Sequence, residues 1–394
     1  MILNLVVTLN LNAQIDYINE KALITIDKDS TTYFKNKFKS RFKVIDENQR
    51  MTLIETDEEA LPWLSLFMHK DYNRCGGFMR HFSLDEALEH MNSEDKMQLA
   101  QSSFFQNSYQ IDRENEVQPM LENLNAGNIL ATITKLSSFQ NRYYKGPHGK
   151  SSAEWIRSEW AKMSSMRSDV KVELFKHKNW DQPSVILTLQ GISKDIIIIG
   201  GHQDSISGSF GGQDAKAPGA DDNASGISTM TEVMRVLMLS NYKPHHTIKF
   251  MAYAAEEVGL LGSKEIAKAH KDANENILGV MQLDMTNFKG TKDLDIVMMT
   301  DYTNPDQNKF LGTIIDTYVP GVKWGFDKCG YGCSDHASWF SQGYPTSMPF
   351  ESKMRDMNKN IHTANDTLKA SKNSADHALK FAKMALAFLV ELDK

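Results

Sequence analysis

The chain has 394 residues, 41% of them hydrophobic and 24% charged, an ordinary globular composition with length for two or three domains. A net charge of −6 without a Lys/Arg run argues against a nucleic-acid partner. No stretch approaches the ~20 apolar residues of a membrane span, so no membrane partner is expected either.

The opening MILNLVVTLNLNAQ is apolar and reaches a small residue at Ala13. It reads as an export signal over residues 1–13, implying secretion, although it lacks the usual basic start. The alternative is a plain β-strand. Residues 14–115 differ from the rest, being rich in charge and Met with irregular apolar spacing. Within them SLDEALEHMNSEDKMQLAQ predicts a helix, with Ser83 as N-cap and Glu86 three residues on. NSYQIDRENEVQ (107–118) is polar and reads as a linker and cleavage zone.

From residue 119 the pattern turns α/β. NILATITKLSSF (128–139), SSAEWIRSEWAKM (151–163), SGISTMTEVMRVLML (225–239) and DHALKFAKMALAFLVEL (376–392) have helical spacing. In the third, Ile227, Met230, Val233, Met234 and Leu237 share a face. VKVELF, SVILTLQ, DIIIIG, TIKFMAYA, GVMQLD and LDIVMMT read as strands, and their unbroken apolar runs suggest a sheet buried on both faces. The fold class expected is a mixed, mostly parallel central sheet flanked by helices.

Chemistry gathers at strand ends. DIIIIGG runs into His202 and Asp204, TIKFMAYAA into Glu256 and Glu257, and GVMQL into Asp284. The loop PGADDNASG opens a helix with Asp222, and NIHTAND supplies His362. Ligands bind at the carboxyl ends of strands in open α/β sheets. Each residue alone has a plain explanation: a core histidine, a helix cap, a solvated acidic pair like Glu58–Glu59. Their joint placement points to a metal site. His and carboxylate donors without thiolate suit Zn²⁺, with Mn²⁺ or Co²⁺ possible. Two His and three carboxylates exceed one tetrahedral ion and suit two ions sharing a carboxylate. Asp222, on a loop without bulk, is the bridging candidate, and Asp204 can hold the other imidazole N–H of His202. One of Glu256 and Glu257 binds metal while the other takes a proton from bound water. His245, His246 and His336 are placed outside the site. Cys329 and Cys333, in CGYGC, can form a small disulfide, bind a metal or remain free thiols. Cys75, in NRCGG, stands apart.

These residues resemble the M28 metallopeptidases, most closely the secreted bacterial leucyl aminopeptidases with two zinc ions. The matching stretches are GGHQDS, APGADDNASG, FMAYAAEEVGL, QLDMTN, CGYGCSDHASW and MPFESK…NIHTANDTL, and they cover 119–394. The resemblance implies two Zn²⁺ per chain, one on His202 and Asp284, the other on Glu257 and His362, with Asp222 bridging through a cis Asp222–Asn223 peptide. It makes Glu256 the general base and acid, and a Cys329–Cys333 disulfide would place Tyr331 near the substrate carbonyl. The side-chain pocket would involve Met285, Met299, Cys333, Met348, Phe350, Met354, Met357 and Ile361. Met354 and Met357 stand where the best-known relative has aromatic residues, which leaves the order of Leu, Met and Phe open. The implied partners are peptides with a free N-terminus. A monomer is expected, since no coiled-coil or large apolar surface pattern appears. Residues 14–115 would be a propeptide that assists folding or blocks the site, and Cys75 would leave with it.

Two relatives in fold are set aside. M20 enzymes insert a dimerisation domain between ligands, whereas 26 residues separate Glu257 from Asp284 here and the 77 before His362 carry core elements. A non-catalytic module would have lost ligands, and none is lost. A glutaminyl-cyclase-like enzyme, which calls for an indole-lined site, remains the alternative.

Overall fold

The structure, a computed structural model, describes residues 21–37, 42–92, 109–208 and 212–394. The export signal read over residues 1–13 lies outside them. The N-terminal unit comprises β1 (Lys21–Asp27), α1 (Lys28–Lys37), β2 (Phe42–Glu47), β3 (Met51–Asp57), α2 (Leu61–Tyr72), β4 (Phe78–His81) and α3 (84–92). Its four strands form an antiparallel sheet in the order β2-β3-β1-β4. The sequence pattern did not show this sheet. Strands such as KALITID and MTLIETD end in charge and do not alternate cleanly, so no period marks them. The α3 cap forms: Ser83 Oγ accepts from the Glu86 N–H at 3.1 Å, while Glu86 returns to the N–H of Phe82 rather than of Ser83.

The remainder comprises α4 (Glu114–Leu121), α5 (Ala126–Leu136), α6 (Pro147–Met163), β5 (Val170–Phe175), β6 (Ser184–Leu189), β7 (Ser193–His202), α7 (Ala224–Leu239), β8 (His246–Tyr253), α8 (Leu261–Asp272), β9 (Ile277–Gln282), β10 (Ile296–Met299), α9 (Pro305–Tyr318), β11 (Trp324–Asp327), α10 (His336–Ser341), β12 (Thr346–Ser347), β13 (Pro349–Phe350) and α11 (Asp376–Leu392). The central sheet runs β12-β9-β7-β8-β6-β5. Its β12, β9, β7 and β8 are mutually parallel, while β6 and β5 continue it antiparallel. The run of isoleucines in β7 explains the unbroken apolar pattern. Ile197 and Ile199 pack with α5, α7 and α11 on one face, and Ile196 and Ile198 with α8 and α10 on the other. One expectation is corrected: LDIVMMT forms β10 of a separate three-stranded sheet, β11-β10-β13.

The polar segment 107–118 is not a free linker where it is described. The N–H groups of Asp112 and Arg113 donate to the Glu391 carboxylate, Tyr109 stacks on Phe310, and α4 begins at Glu114 with Val117 fully buried. The expected pattern missed the helix because its apolar face is only Val117, Met120 and Leu121.

The N-terminal unit shares an apolar core with the rest. Ile24, Leu64, Phe67 and Phe78 pack with Tyr144, Trp180, Ala255 and Val258. Glu58, read as a solvated acid, instead clasps the two parts, accepting from Arg80 and Tyr144 at 2.7 Å and pairing with Lys145. At a second contact Lys264 of α8 donates to Glu86 at 2.9 Å beside His81. Burial, and then Lys264, lower His81 from 6.5 to about 4. The unfolded chain therefore binds more protons over that range, so this contribution is complete above pH 6.5 and fades as pH falls towards 4. A loss of about 3 kcal/mol is expected across the interval. Thermal unfolding from pH 7 to pH 4 should show this acid limb in the native chain and a flatter one in His81→Gln.

Candidate metal centre

Three adjacent parallel strands, β8, β7 and β9, deliver their carboxyl ends to one edge. Connections from β7 lead by α7 to one side and later to β9 on the other, which opens a crevice. His202 ends β7, Glu256 and Glu257 follow β8, and Asp284 follows β9. Asp222 precedes α7, and His362 comes from the segment between β13 and α11. The two carboxylate oxygens of Asp222 face different histidines: Oδ1 lies 3.0 Å from His202 Nε2 and Oδ2 3.2 Å from His362 Nε2. His202 Nε2 is also 3.3 Å from Asp284 Oδ1, and His362 Nε2 is 2.8 Å from Glu257 Oε2. For bonds of 2.0–2.1 Å, neighbouring donors of a tetrahedral ion lie about 3.3 Å apart. These separations fit.

The electrostatics fit as well. Asp222 Oδ1, Glu257 Oε2, both Asp284 oxygens and His202 Nε2 are buried without a hydrogen-bond partner. Burial alone would lower the histidines, yet the carboxylates push His202 well above its ordinary value and His362 up to about 10. Burial would raise Asp222, but His202 and His362 hold it below the carboxylate range. Burial, joined by Asp335, Asp284 and Glu257, pushes Glu256 well up against the pull of His202. Glu257 is pushed up to about 7 by burial and then by Asp222. The cluster calls for positive charge, and the donor set suits a pair of divalent cations.

Strained backbone aims the donors. Ala255, Met285 and His362 have φ of 57°, 57° and 56°, a left-handed conformation rare outside glycine. At Ala255 the turn breaks the alternation of β8, so Glu256 and Glu257 both reach the site. The Asp222–Asn223 peptide is cis, as the resemblance implied.

Several supporting residues escaped the sequence reading. Asn223, not Asp222, caps α7: its Oδ1 accepts from Gly226 N–H at 2.9 Å and from Met285 N–H at 3.1 Å. Its Nδ2 donates to the carbonyls of His202 and Leu283, tying the ends of β7 and β9 to the start of α7. Gly226 permits this approach, since a Cβ there would lie 2.2 Å from the Leu283 carbonyl. Asp366 accepts the N–H groups of Asp221 and Asp222 at 3.1 and 3.0 Å. Buried Arg142 donates to the carbonyls of Gln203, Pro218 and Gly219. Asp204 was expected to hold His202 by its carboxylate. The nearer acceptor of Nδ1 is the Asp204 carbonyl, at 3.2 Å against 3.5 Å for Oδ1. The carboxylate instead accepts the N–H groups of Glu256 and Glu257, fixing their turn. Apart from Asn223–Gly226 and His202–Asp204, these pairings join residues far apart in sequence, so most of them left no local trace.

The expected pocket residues Met285, Met299, Cys333, Met348, Phe350, Met354, Met357 and Ile361 all fall in one buried apolar cluster. Cys329 and Cys333 are bonded and Tyr331 lies between them. No tryptophan belongs to this cluster. His245 and His246 stand at the far end of β8, and His336 bonds the Asp301 carbonyl, so all three lie away from the metal donors. The unexpected member is Cys75, fully inside the cluster and facing Asp222 and His362. Its isolation in the sequence gave no hint of this.

An α/β sheet whose strand ends and neighbouring loops gather two His, a carboxylate facing both and three further acids is the arrangement of a metal-dependent hydrolase. The profile of peptidase family M28 matches residues 184–388. Leucine aminopeptidase 1 of Fusarium vanettenii is 38% identical over 293 residues, 71% of this chain and 73% of that protein. A probable aminopeptidase of Saccharomyces cerevisiae is 36% identical over 72% of this chain and 77% of its own length. The chain belongs to the M28 peptidases. The crystal structure of the LapA aminopeptidase of Legionella pneumophila superposes with a TM-score of 0.81 at 28% identity, covering 95% of this chain and 99% of that one. LapB of the same organism gives 0.81 and 29% over 95% and 100%. That coverage extends well beyond residues 119–394, so both structures contain a counterpart of the N-terminal unit. Glutaminyl cyclase of Porphyromonas gingivalis shares the fold at 14% identity and a TM-score of 0.57.

Removing an outer acceptor should loosen the centre. Asp366→Ala leaves the buried N–H groups of Asp221 and Asp222 unpaired, and metal affinity should fall 10–100-fold. Competition with a chelator, read by metal analysis of the full chain, checks this.

Proposed function

We propose that the protein is a two-zinc aminopeptidase that removes a large apolar N-terminal residue, leucine among the preferred, from peptides. The observation that carries this reading is Asp222, whose two oxygens face two separate His-carboxylate groups beside a buried, unligated Glu256. In it His202 and Asp284 hold one zinc, Glu257 and His362 the other, and Asp222 both. When bound, the zinc pair would anchor the free amine, polarise the scissile carbonyl and acidify the attacking water. Glu256 takes the proton of that water and passes it to the departing amine. Tyr331 donates its hydroxyl to the carbonyl oxygen. Asp204 keeps Glu256 in place through the backbone. The Met-rich cluster accepts the N-terminal side chain, and its flexible thioethers suit several apolar residues.

The reading includes secretion by the signal at residues 1–13 and processing of a propeptide. The disulfide supports an oxidising destination. The docked Asp112, Arg113 and Tyr109 favour a cut ahead of residue 109 rather than at 115.

Two outcomes test the reading on chain cleaved after folding ahead of residue 109. Glu256→Ala should lower turnover by 10²–10⁴-fold with the metal content unchanged. Full activity in that variant would sink the assignment. A Leu-initiated peptide should release free leucine, while its N-acetylated form should release none. Cleavage of both would indicate an endopeptidase.

A further inference from the structure

Cys75 sits in a loop that crosses the mouth of the centre. A buried free cysteine is in itself ordinary. Here its surroundings are not. Sγ lies 3.6 Å from Asp222 Oδ2 and 3.9 Å from His362 Nε2, and the three atoms form a group that can hold a cation. With a zinc–sulfur bond near 2.3 Å and zinc–nitrogen or zinc–oxygen bonds near 2.0 Å, sulfur and its neighbouring donors stand about 3.5 Å apart. Glu257 Oε2, buried and without a hydrogen-bond partner, lies beside this group, 2.8 Å from His362 Nε2.

The backbone of the loop copies a substrate. The Cys75 carbonyl accepts the hydroxyl of Tyr331, the group assigned above to the scissile carbonyl. The residue belongs to the same buried cluster as Met285, Met348, Met357 and Ile361, the expected walls of the side-chain pocket. The loop is pinned on both sides. Arg74 pairs with Asp27 of β1 and lies 5.4 Å over the Tyr331 ring. Asn73 accepts from Lys359, three residues before His362. Upstream, Ser65 of α2 donates to the Glu257 carbonyl at 3.1 Å, and the His69 ring meets that of His362. Gly76 and Gly77, with φ of 64° and 82°, turn the chain back into β4, and a Cβ on Gly77 would meet Met68 at 2.6 Å.

We propose that Cys75 is a fourth-position ligand of the ion held by Asp222, Glu257 and His362, and that this sulfur–metal bond keeps the full chain latent with residues 73–77 in the place of a peptide N-terminus. This rests on the two-zinc reading above. On binding, the sulfur gives up its proton to solvent; on release it takes one back and water occupies the vacated place.

Cobalt(II) provides the test. The full chain is loaded with cobalt to two ions, confirmed by metal analysis, and its near-ultraviolet absorption recorded. A sulfur-to-cobalt charge-transfer band is expected in the native chain and should vanish in Cys75→Ser and Cys75→Ala with both ions retained. On a Leu-initiated peptide the full-length Cys75→Ala chain should turn over at least tenfold faster than the native one. A native chain that holds two cobalt ions without the band overturns the proposal, and because this is read on the unsubstituted protein it does not depend on how the variants fold. A band without any gain in Cys75→Ala overturns the latency. Failure to bind cobalt at all would instead overturn the two-zinc reading.

Discussion

The architecture turns on a like-charge problem. Asp222, Asp284, Glu256 and Glu257 converge with almost no exposure to water, and Asp204 and Asp335 stand just behind them. Among the described residues no lysine or arginine pairs with any of the four. Their ion-pair partners are His202 and His362 alone. The nearby buried cation, Arg142, directs its donors to backbone carbonyls and so braces the loop rather than neutralising the acids. A desolvated carboxylate without a counter-charge is costly, and the usual escape is to bind a proton. Two divalent ions would remove that need, and on the proposed reading would leave Glu256 as the carboxylate free to exchange a proton. The same repulsion that makes the empty cluster expensive makes it a strong cation site.

Positioning then follows from the sheet. Only parallel neighbours bring several carboxyl ends to one edge, and β8, β7 and β9 are such neighbours. Their side-chain alternation would send successive residues to opposite faces, so each strand must break where its ligand is needed. The break after β8 uses the positive φ of Ala255 and that after β9 the positive φ of Met285. Asn223 and Asp204 hold these breaks by accepting backbone N–H groups, an arrangement that offsets the strain with satisfied buried polar groups.

The sequence made the ligands legible because strand-ending acids and histidines leave a local trace: an apolar run, then His202, Glu256–Glu257 or Asp284. The helices at 225–239 and 376–392 were legible for the same reason, through a period that repeats within one segment. What stayed hidden is what depends on distant partners. Asp366 meets Asp222 from 144 residues away and Asp204 meets Glu256 from 52. The N-terminal sheet was hidden because its strands, such as KALITID and MTLIETD, lack a clean period of two. Cys75 is the extreme case. Its neighbours in sequence are Arg74 and Gly76, and its chemistry comes from residues 147 and 287 positions downstream.

That distance also changes what the N-terminal unit is. A segment that merely covered an active site would rest on its rim. Here Ile24, Leu64, Phe67 and Phe78 share a core with Ala255, Val258 and Leu261, the residues flanking Glu256 and Glu257. The backbone N–H of Arg80 donates to the carbonyl of Gly259, whose absent side chain leaves room for the approach. The turn that presents Glu256 and Glu257 is therefore built partly from the N-terminal unit. Removing that unit would uncover a contiguous apolar surface beside the centre, which a soluble protein seldom leaves bare. Chain scission ahead of residue 109 need not expose it, because the apolar core would still hold the unit in place. The loop at residues 73–77 is held by the polar pairs Lys359–Asn73 and Arg74–Asp27 and, through Cys75, by the buried apolar cluster. On the latency proposed above, the shared core persists while this loop alone yields, its polar pairs and the Cys75 contact giving way together.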